Sequence, residues 1–180
     1  MKHPFIFEPE KCIETILYII NKLPMADIHR ISKIMYFADK AHLEKFKCFI
    51  CGDHYMAMKH GPVPGCTFNI LKAVQGDNSI LATHIVKMAN SALTVQDNFI
   101  VKPQREAHLE EFSKHEVACL NTAINQYGAL SFQTLSELSC EAPWQATTRN
   151  DCINIEHIVA LFPNASSLLK NLNIVSRMLD

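Results

Sequence analysis

Apolar side chains return at three- and four-residue intervals through most of this chain, the spacing that puts them on one face of an α-helix. Ile13, Ile16, Leu17 and Ile20 predict a first helix from Pro9 and Glu10 to about Leu23, ended by Pro24. Ile28, Ile31, Ile34, Met35, Ala38 and Leu43 make the strongest stripe, over about residues 27–45, with Asp27 as its cap. Arg30, Lys33, Lys40 and Glu44 form the polar face of that helix. A third helix is expected from Pro64 through Phe68, Ile70, Leu71 and Val74 to about Gly76-Asp77-Asn78. The pattern then changes. His84-Ile85-Val86-Lys87-Met88, Ala92-Leu93-Thr94-Val95 and Phe99-Ile100-Val101 are short β-rich runs separated by Asn90-Ser91 and Asp97-Asn98. They predict a small antiparallel hairpin or meander, closed by Pro103. Helical spacing resumes over about 113–127 through Val117, Leu120 and Ile124, and Gly128 stops it. Short helices follow over about 132–138 and 155–162. A last one, over about 166–179, carries Leu168, Leu169, Leu172, Val175 and Leu179 on one side. The fold class is mainly α: a single compact helical domain over residues 1–180 with a small antiparallel β-hairpin insertion.

Residues 52–64 interrupt this pattern most sharply. Pro62 and Pro64 each fix φ and push the preceding residue toward extended backbone, while Gly61 tolerates conformations other residues resist. A stiff corner is expected there, neither helix nor central strand. Just before it, Tyr36, Asp39 and Leu43 share one face of the second helix, and His42 neighbours Asp39. Asp39, His42, Asp53 and Tyr55 are therefore expected to satisfy one another's hydrogen bonds where the second and third helices cross. That cluster would hold the loop in one geometry, because a member left unpaired costs about 1–3 kcal/mol.

Composition removes several classes of function. A chain of 180 residues buries about 70% of its unfolded surface, so neither disulfide nor metal is needed to hold it together. Lys and Arg number 17 against 18 Asp and Glu, a formal charge of −1, with no basic block of the kind that phosphate contacts require. No apolar run approaches the ~20 residues of a membrane span. The opening residues, with two prolines and two glutamates, do not form a signal-peptide core. Seven scattered cysteines suit reduced thiols, and the expected location is the cytoplasm.

Candidate chemistry is thin. Cys48 and Cys51 with His54, His60 and Cys66 downstream offer zinc-like ligands, but no second matched pair completes the set, and buried or incidental thiols are the simpler reading. No nucleophile turn, oxyanion hole or phosphate loop is recognisable. Glu110-Glu111, and Glu137 with Glu141, read as solvated helix faces. Residues 117–144 imitate a helix-turn-helix, yet the second helix offers one Gln, one Glu and no cation to a nucleic acid. Trp144 reads as a core or interface anchor. No catalytic residue, metal ligand or cofactor is assigned.

Set out in order, the pieces Lys33-Ile34-Met35-Tyr36-Phe37-Ala38-Asp39, His42-Leu43, Gly52-Asp53, Tyr55, Ala57-Met58, Gly61-Pro62-Val63-Pro64, Tyr127-Gly128, Leu135-Ser136-Glu137-Leu138 and Pro143-Trp144 resemble the SocA-like, or Panacea, antitoxin family. The resemblance spans most of residues 10–162 and leaves the helix over 166–180 as an addition. It implies a mainly helical, non-catalytic domain that binds and neutralises a cognate protein toxin. One branch of the family resembles an adaptor to a ClpXP-type protease, and others sit in prophages or mobile elements. The expected structural or partner-binding residues are Tyr36, Asp39, His42, Gly52, Asp53, Tyr55, Gly61, Pro62, Val63 and Trp144. The last helix is a candidate toxin-binding surface because it extends past the matching region. Two departures stand out: Ser139-Cys140-Glu141 replaces the Thr-His that commonly follows Leu-Ser-x-Leu, and Cys48 and Cys51 occupy positions not usually cysteine. A Cys/His enzyme, a zinc protein and a DNA-binding regulator are the rival readings.

Overall fold

A computed structural model describes residues 3–77, 81–96 and 99–178, the side chains of 174–178 excepted. Among these residues the order is α1 (Pro9–Lys22), α2 (Ile28–Phe46), β1 (Tyr55–Met58), β2 (Gly61–Pro64), α3 (Gly65–Val74), α4 (Thr83–Ala92), β3 (Leu93–Val95), β4 (Val101–Pro103), a 3-10 turn at Leu109–Glu111, α5 (Lys114–Tyr127), α6 (Phe132–Ser139), α7 (Ala142–Gln145), α8 (Ile155–Val159) and α9 (Ala165–Met178). The fold is mainly α with two small antiparallel hairpins. No helix of the described residues is long and apolar enough to cross a membrane.

Local chemistry explains most helix starts. Pro9 occupies the first turn of α1, the Asp27 side chain accepts the Arg30 amide at the start of α2, and Ser113 with Glu116 forms a full capping box on α5. Packing explains the rest. Ile13, Ile16, Leu17 and Ile20 of α1 and Ile31, Ile34, Met35 and Leu43 of α2 are shut away from solvent in one core. Around α2 stand α5, β2 and α6, so this helix is enclosed on nearly every side.

That enclosure corrects the expected polar face. Lys33 is 0% exposed, and Arg30 turns inward to donate to the Gly128 and Leu130 carbonyls at 2.5 and 2.8 Å. Lys40 pairs with Glu141 of the chain that follows α6. Glu141, its side chain 31% exposed, is tied to Lys40 and is not a free surface acid.

The β-rich run at 84–88 is helix, not strand. Ile85, Met88, Ala89 and Ala92 share one helical face, and that face packs on the core, with Ala89 and Ala92 at 0% exposure. Burial against α1 and α3 outweighs the β preference of Ile85 and Val86. The hairpin is shorter than expected and lies later, Leu93 facing Pro103, Thr94 facing Lys102 and Val95 facing Val101. The turn expected at Asp97-Asn98 falls outside the described residues, as does Asn78 at the end of α3.

The stiff corner is itself a second hairpin. Tyr55, Met56, Ala57 and Met58 pair with Pro64, Val63, Pro62 and Gly61. Two prolines are tolerated in β2 because, among the described residues, no strand pairs with its outer edge and none needs their missing N–H, while the chain at 150–153 covers the far edge of β1 instead. At the C-terminal end, α9 sinks Leu168 (1% exposed) and Leu172 (0%) into the core. The leucine side of α9 thus holds the helix to the fold; Val175 and Leu179 lie outside the described side chains.

Candidate functional site

Asp39 is the centre of the first polar cluster. Its carboxylate accepts the Tyr55 hydroxyl at 2.6 Å and the Ile50 amide at 2.7 Å, which ties α2 to the loop and to β1. Burial pushes Asp39 up to about 7, against the pull of the Tyr55 hydroxyl and the Ile50 amide, and drives Tyr55 well above its ordinary range. Of the four residues expected to pair among themselves, only Asp39 and Tyr55 do. His42 faces the Cys48 carbonyl at 2.9 Å and lies beside the Phe46 ring.

Asp53 has a different task. Pro64 precedes α3 and has no side-chain acceptor, so the orphan amides of that helix are taken by Asp53 from across the hairpin. Oδ1 accepts from the His54 and Cys66 amides at 2.8 and 2.9 Å; Oδ2 accepts from the Thr67 amide and hydroxyl, both at 2.7 Å. A carboxylate at a helix N-terminus also meets the positive end of the helix dipole. These four bonds decide the metal question. Among the described residues, Asp53, His54 and Cys66 bring ligand atoms within 4.8 Å of one another, while Cys48, Cys51 and His60 do not join them. Both Asp53 oxygens are already filled by donors, leaving no lone pair directed at an ion. Burial, with Asp53 next, pushes the Cys66 thiol up to about 12. The trio fits a helix cap, not a metal centre.

Beneath the hairpin, Lys33 donates to the Pro62 carbonyl at 2.8 Å, and burial pulls it down to about 7. Gly61 crosses directly over it at φ +101°. Trp144 donates its ring N–H to the Met58 carbonyl at 2.9 Å, so α7 clamps the end of β1. Tyr36 reaches 105 residues along the chain to Glu141 at 3.2 Å, next to the Lys40 contact. Gly52 has φ +70°, and a Cβ there would stand 2.1 Å from the Ile6 carbonyl oxygen.

Beside this framework an open cleft of about 420 Å³ runs between α2, the β1–β2 hairpin, α3 and α6. Val63 and Phe68 form part of its wall, Lys59, His60 and Lys72 its rim. Phe132 overhangs it, stacked on His29 at 3.9 Å and 47% exposed. The exposed side of α6 carries Gln133 bonded to Glu137 and no cation, which gives a nucleic acid nothing to read.

The model of a family described as Antitoxin SocA-like, Panacea domain matches residues 31–145. The chain belongs to this family. No curated protein and no solved structure matches it. The Panacea match runs from Ile31 in α2 to Gln145 at the end of α7 and takes in both hairpins, Asp39, Asp53, the Lys33–Pro62 contact and most of the cleft. It is narrower than the 10–162 span of the residue-level resemblance.

Within the Panacea domain, Lys33, Glu141, Thr67 and Phe132 escaped the sequence reading. Lys33 looked like one more charge on an amphipathic helix, and Glu141 like a surface acid. A hint lay in Pro64: a helix whose N-cap position is proline needs its acceptor from elsewhere. Asp39 gives the Panacea domain a measurable pH dependence. Its carboxyl titrates at about 7 in the fold against an ordinary 3.8, so the folded chain holds an extra proton between those values. Asp39 therefore contributes fully to stability below about pH 3.8, and that contribution is lost as the pH rises through 7. Asp39→Asn mimics the protonated acid, with one acceptor for Ile50 and one donor for Tyr55. Urea midpoints of the variant are expected to stay flat from pH 5 to 7.5 relative to the parent, whose stability falls over that window; parallel curves would refute the assignment.

Proposed function

We propose that this protein is an antitoxin that binds a cognate protein toxin and holds it inactive without turnover. The observation that carries the reading is the family match over residues 31–145, well over half of the chain. The chemistry of the interior supports it. Asp39 and Asp53 are closed on internal donors, His42 faces a backbone carbonyl, and the thiols are raised, Cys48 and Cys66 by burial and Cys51 by its hydrogen bond with Cys12 and then by burial, which makes them poor nucleophiles. The polar residues of the motifs serve to hold the α2–hairpin–α3 geometry, and contact with a partner is left to the surface that geometry presents.

The test is co-expression with the product of the adjacent gene. That product alone is expected to arrest growth, and this chain is expected to restore growth and to copurify with it in a fixed ratio. A harmless neighbour that never copurifies would overturn the reading. Repeating the rescue in a strain lacking ClpXP-type proteases separates two modes: rescue that persists is neutralisation by binding, and rescue that vanishes is delivery to the protease.

A further inference from the structure

The cleft beside the β1–β2 hairpin combines two properties that surface grooves seldom share. Its lining is largely apolar, yet five of its side chains are basic: His29, Lys33, Lys59, His60 and Lys72. Among the described residues the one carboxylate in the lining, Asp27, is engaged as the cap of α2 by the Arg30 amide at 2.7 Å. Lys72 has a single exposed partner, Asp77, and neither Lys33 nor Lys59 has a carboxylate partner among the described residues. This local excess stands on a chain whose formal charge is −1, so it is not a reflection of general basicity. Burial drops His29 to about 4, so at neutral pH its ring is uncharged and acts as a flat shelf for Phe132.

The apolar surface also continues past the mouth of the cleft. Phe132 and Phe99 are 47% and 56% exposed, and both belong to the lining. A small molecule filling about 420 Å³ would leave these outer faces wet. A peptide segment would cover them. Exposed aromatics beside exposed lysines are the elements from which binding hot spots and charge-steered docking are built.

Resting on the antitoxin reading above, we propose that this cleft receives an acidic, apolar segment of the toxin, with an apolar side chain packed on Phe132 and Phe68 and carboxylates facing Lys59 and Lys72. Lys33, 0% exposed and held by the Pro62 carbonyl, lies beneath the floor and does not touch the segment.

Two substitutions on exposed side chains test this in the purified complex with the neighbouring gene's product. Phe132→Ala is expected to weaken that complex about 30-fold, the effect of a central aromatic anchor. Lys59→Glu is expected to weaken it at least about 10-fold and to flatten its salt dependence. Thermal melts of the free variants should match the parent. If Phe132→Ala melts early, Lys59→Glu alone decides. A photoreactive benzoylphenylalanine at position 132 should crosslink to a toxin peptide containing Asp or Glu next to an apolar residue, whereas the same group at Leu109, 59% exposed on the 3-10 turn, should not.

Parent-like affinity in both variants would overturn the proposal while leaving the antitoxin reading intact. Self-association abolished by Phe132→Ala, with toxin binding unchanged, would assign the cleft to a second copy of this chain. A crosslink to nucleic acid in place of the toxin would overturn it as well. If the parent chain captures and neutralises no neighbouring product, the antitoxin reading fails and this proposal fails with it.

Discussion

Replacing Asp53 with Ala is expected to lower the unfolding free energy by on the order of 4 kcal/mol, a large part of the roughly 5–15 kcal/mol that holds a domain folded. Four donors lose their acceptor at once: the amides of His54, Cys66 and Thr67, and the Thr67 hydroxyl. Asp53 and Thr67 are both 0% exposed, so water does not replace the lost oxygens without opening the loop. Each buried donor left bare costs about 1–3 kcal/mol, and the costs overlap because one local rearrangement relieves several of them. Pro64 offers no substitute cap, so the first turn of α3 is expected to fray. Asp53→Asn is the informative partner. It keeps one acceptor oxygen and sets an NH2 against donors on the other side, and should fall between the parent and Ala. Urea unfolding midpoints measure both. An Ala variant within about 1 kcal/mol of the parent would show that the carboxylate does not cap α3.

Gly61→Val is expected to be as damaging, for a steric reason. At φ +101° a β-branched residue is strained by itself, by about 1–2 kcal/mol or more. Its Cβ would also stand 2.4 Å from Ser139 Oγ and 2.9 Å from Lys33 Nζ. Neither neighbour can swing into solvent, because both are 0% exposed. The hairpin has to lift from α2 and α6, breaking the Lys33–Pro62 bond and deforming the wall of the cleft. Loss of toxin neutralisation should accompany the loss of stability. Gly61→Ala is expected to show a smaller version of both effects, and Ser139→Ala in the same chain should recover part of the melting temperature. A double variant no more stable than Gly61→Ala would place the damage in backbone strain, not in the clash.

The two positions differ in how visible they were. Gly61, between Lys59-His60 and two prolines, announces a corner by local rules alone, and the corner exists as the start of β2. Asp53 as the cap of α3 is invisible in the same way that most tertiary caps are: its acceptor role spans a hairpin, and no fixed spacing links an Asp to amides 13 and 14 residues later. Tyr36 and Asp39 were legible as one face of a helix, but their partners were not. Tyr36 bonds to a residue 105 positions away, and Asp39 takes Tyr55 while leaving His42 to a backbone carbonyl. α4 shows the opposite failure. Its Ile85, Met88, Ala89 and Ala92 already had helical spacing, and the β-rich composition obscured it.

What the chain by itself determined was local: the apolar stripes of α1, α2 and α5, the caps at Asp27 and Ser113, and the glycine-proline corner. The ordered motifs that mark the family were legible there too. Each of these depends on neighbours within a few residues, where backbone sterics and helical periodicity act. Only the tertiary structure decided which charges are buried and which surface remains open. Lys33 is an ordinary charged residue until α2 is enclosed by α5, α6 and the hairpin, and Glu141 until that packing sets it against Tyr36 and Lys40. Desolvation and hydrogen bonding then depend on groups brought from distant parts of the sequence, and the same enclosure leaves the Phe132 cleft, among the described residues, as an open and largely apolar surface beside Lys59 and Lys72.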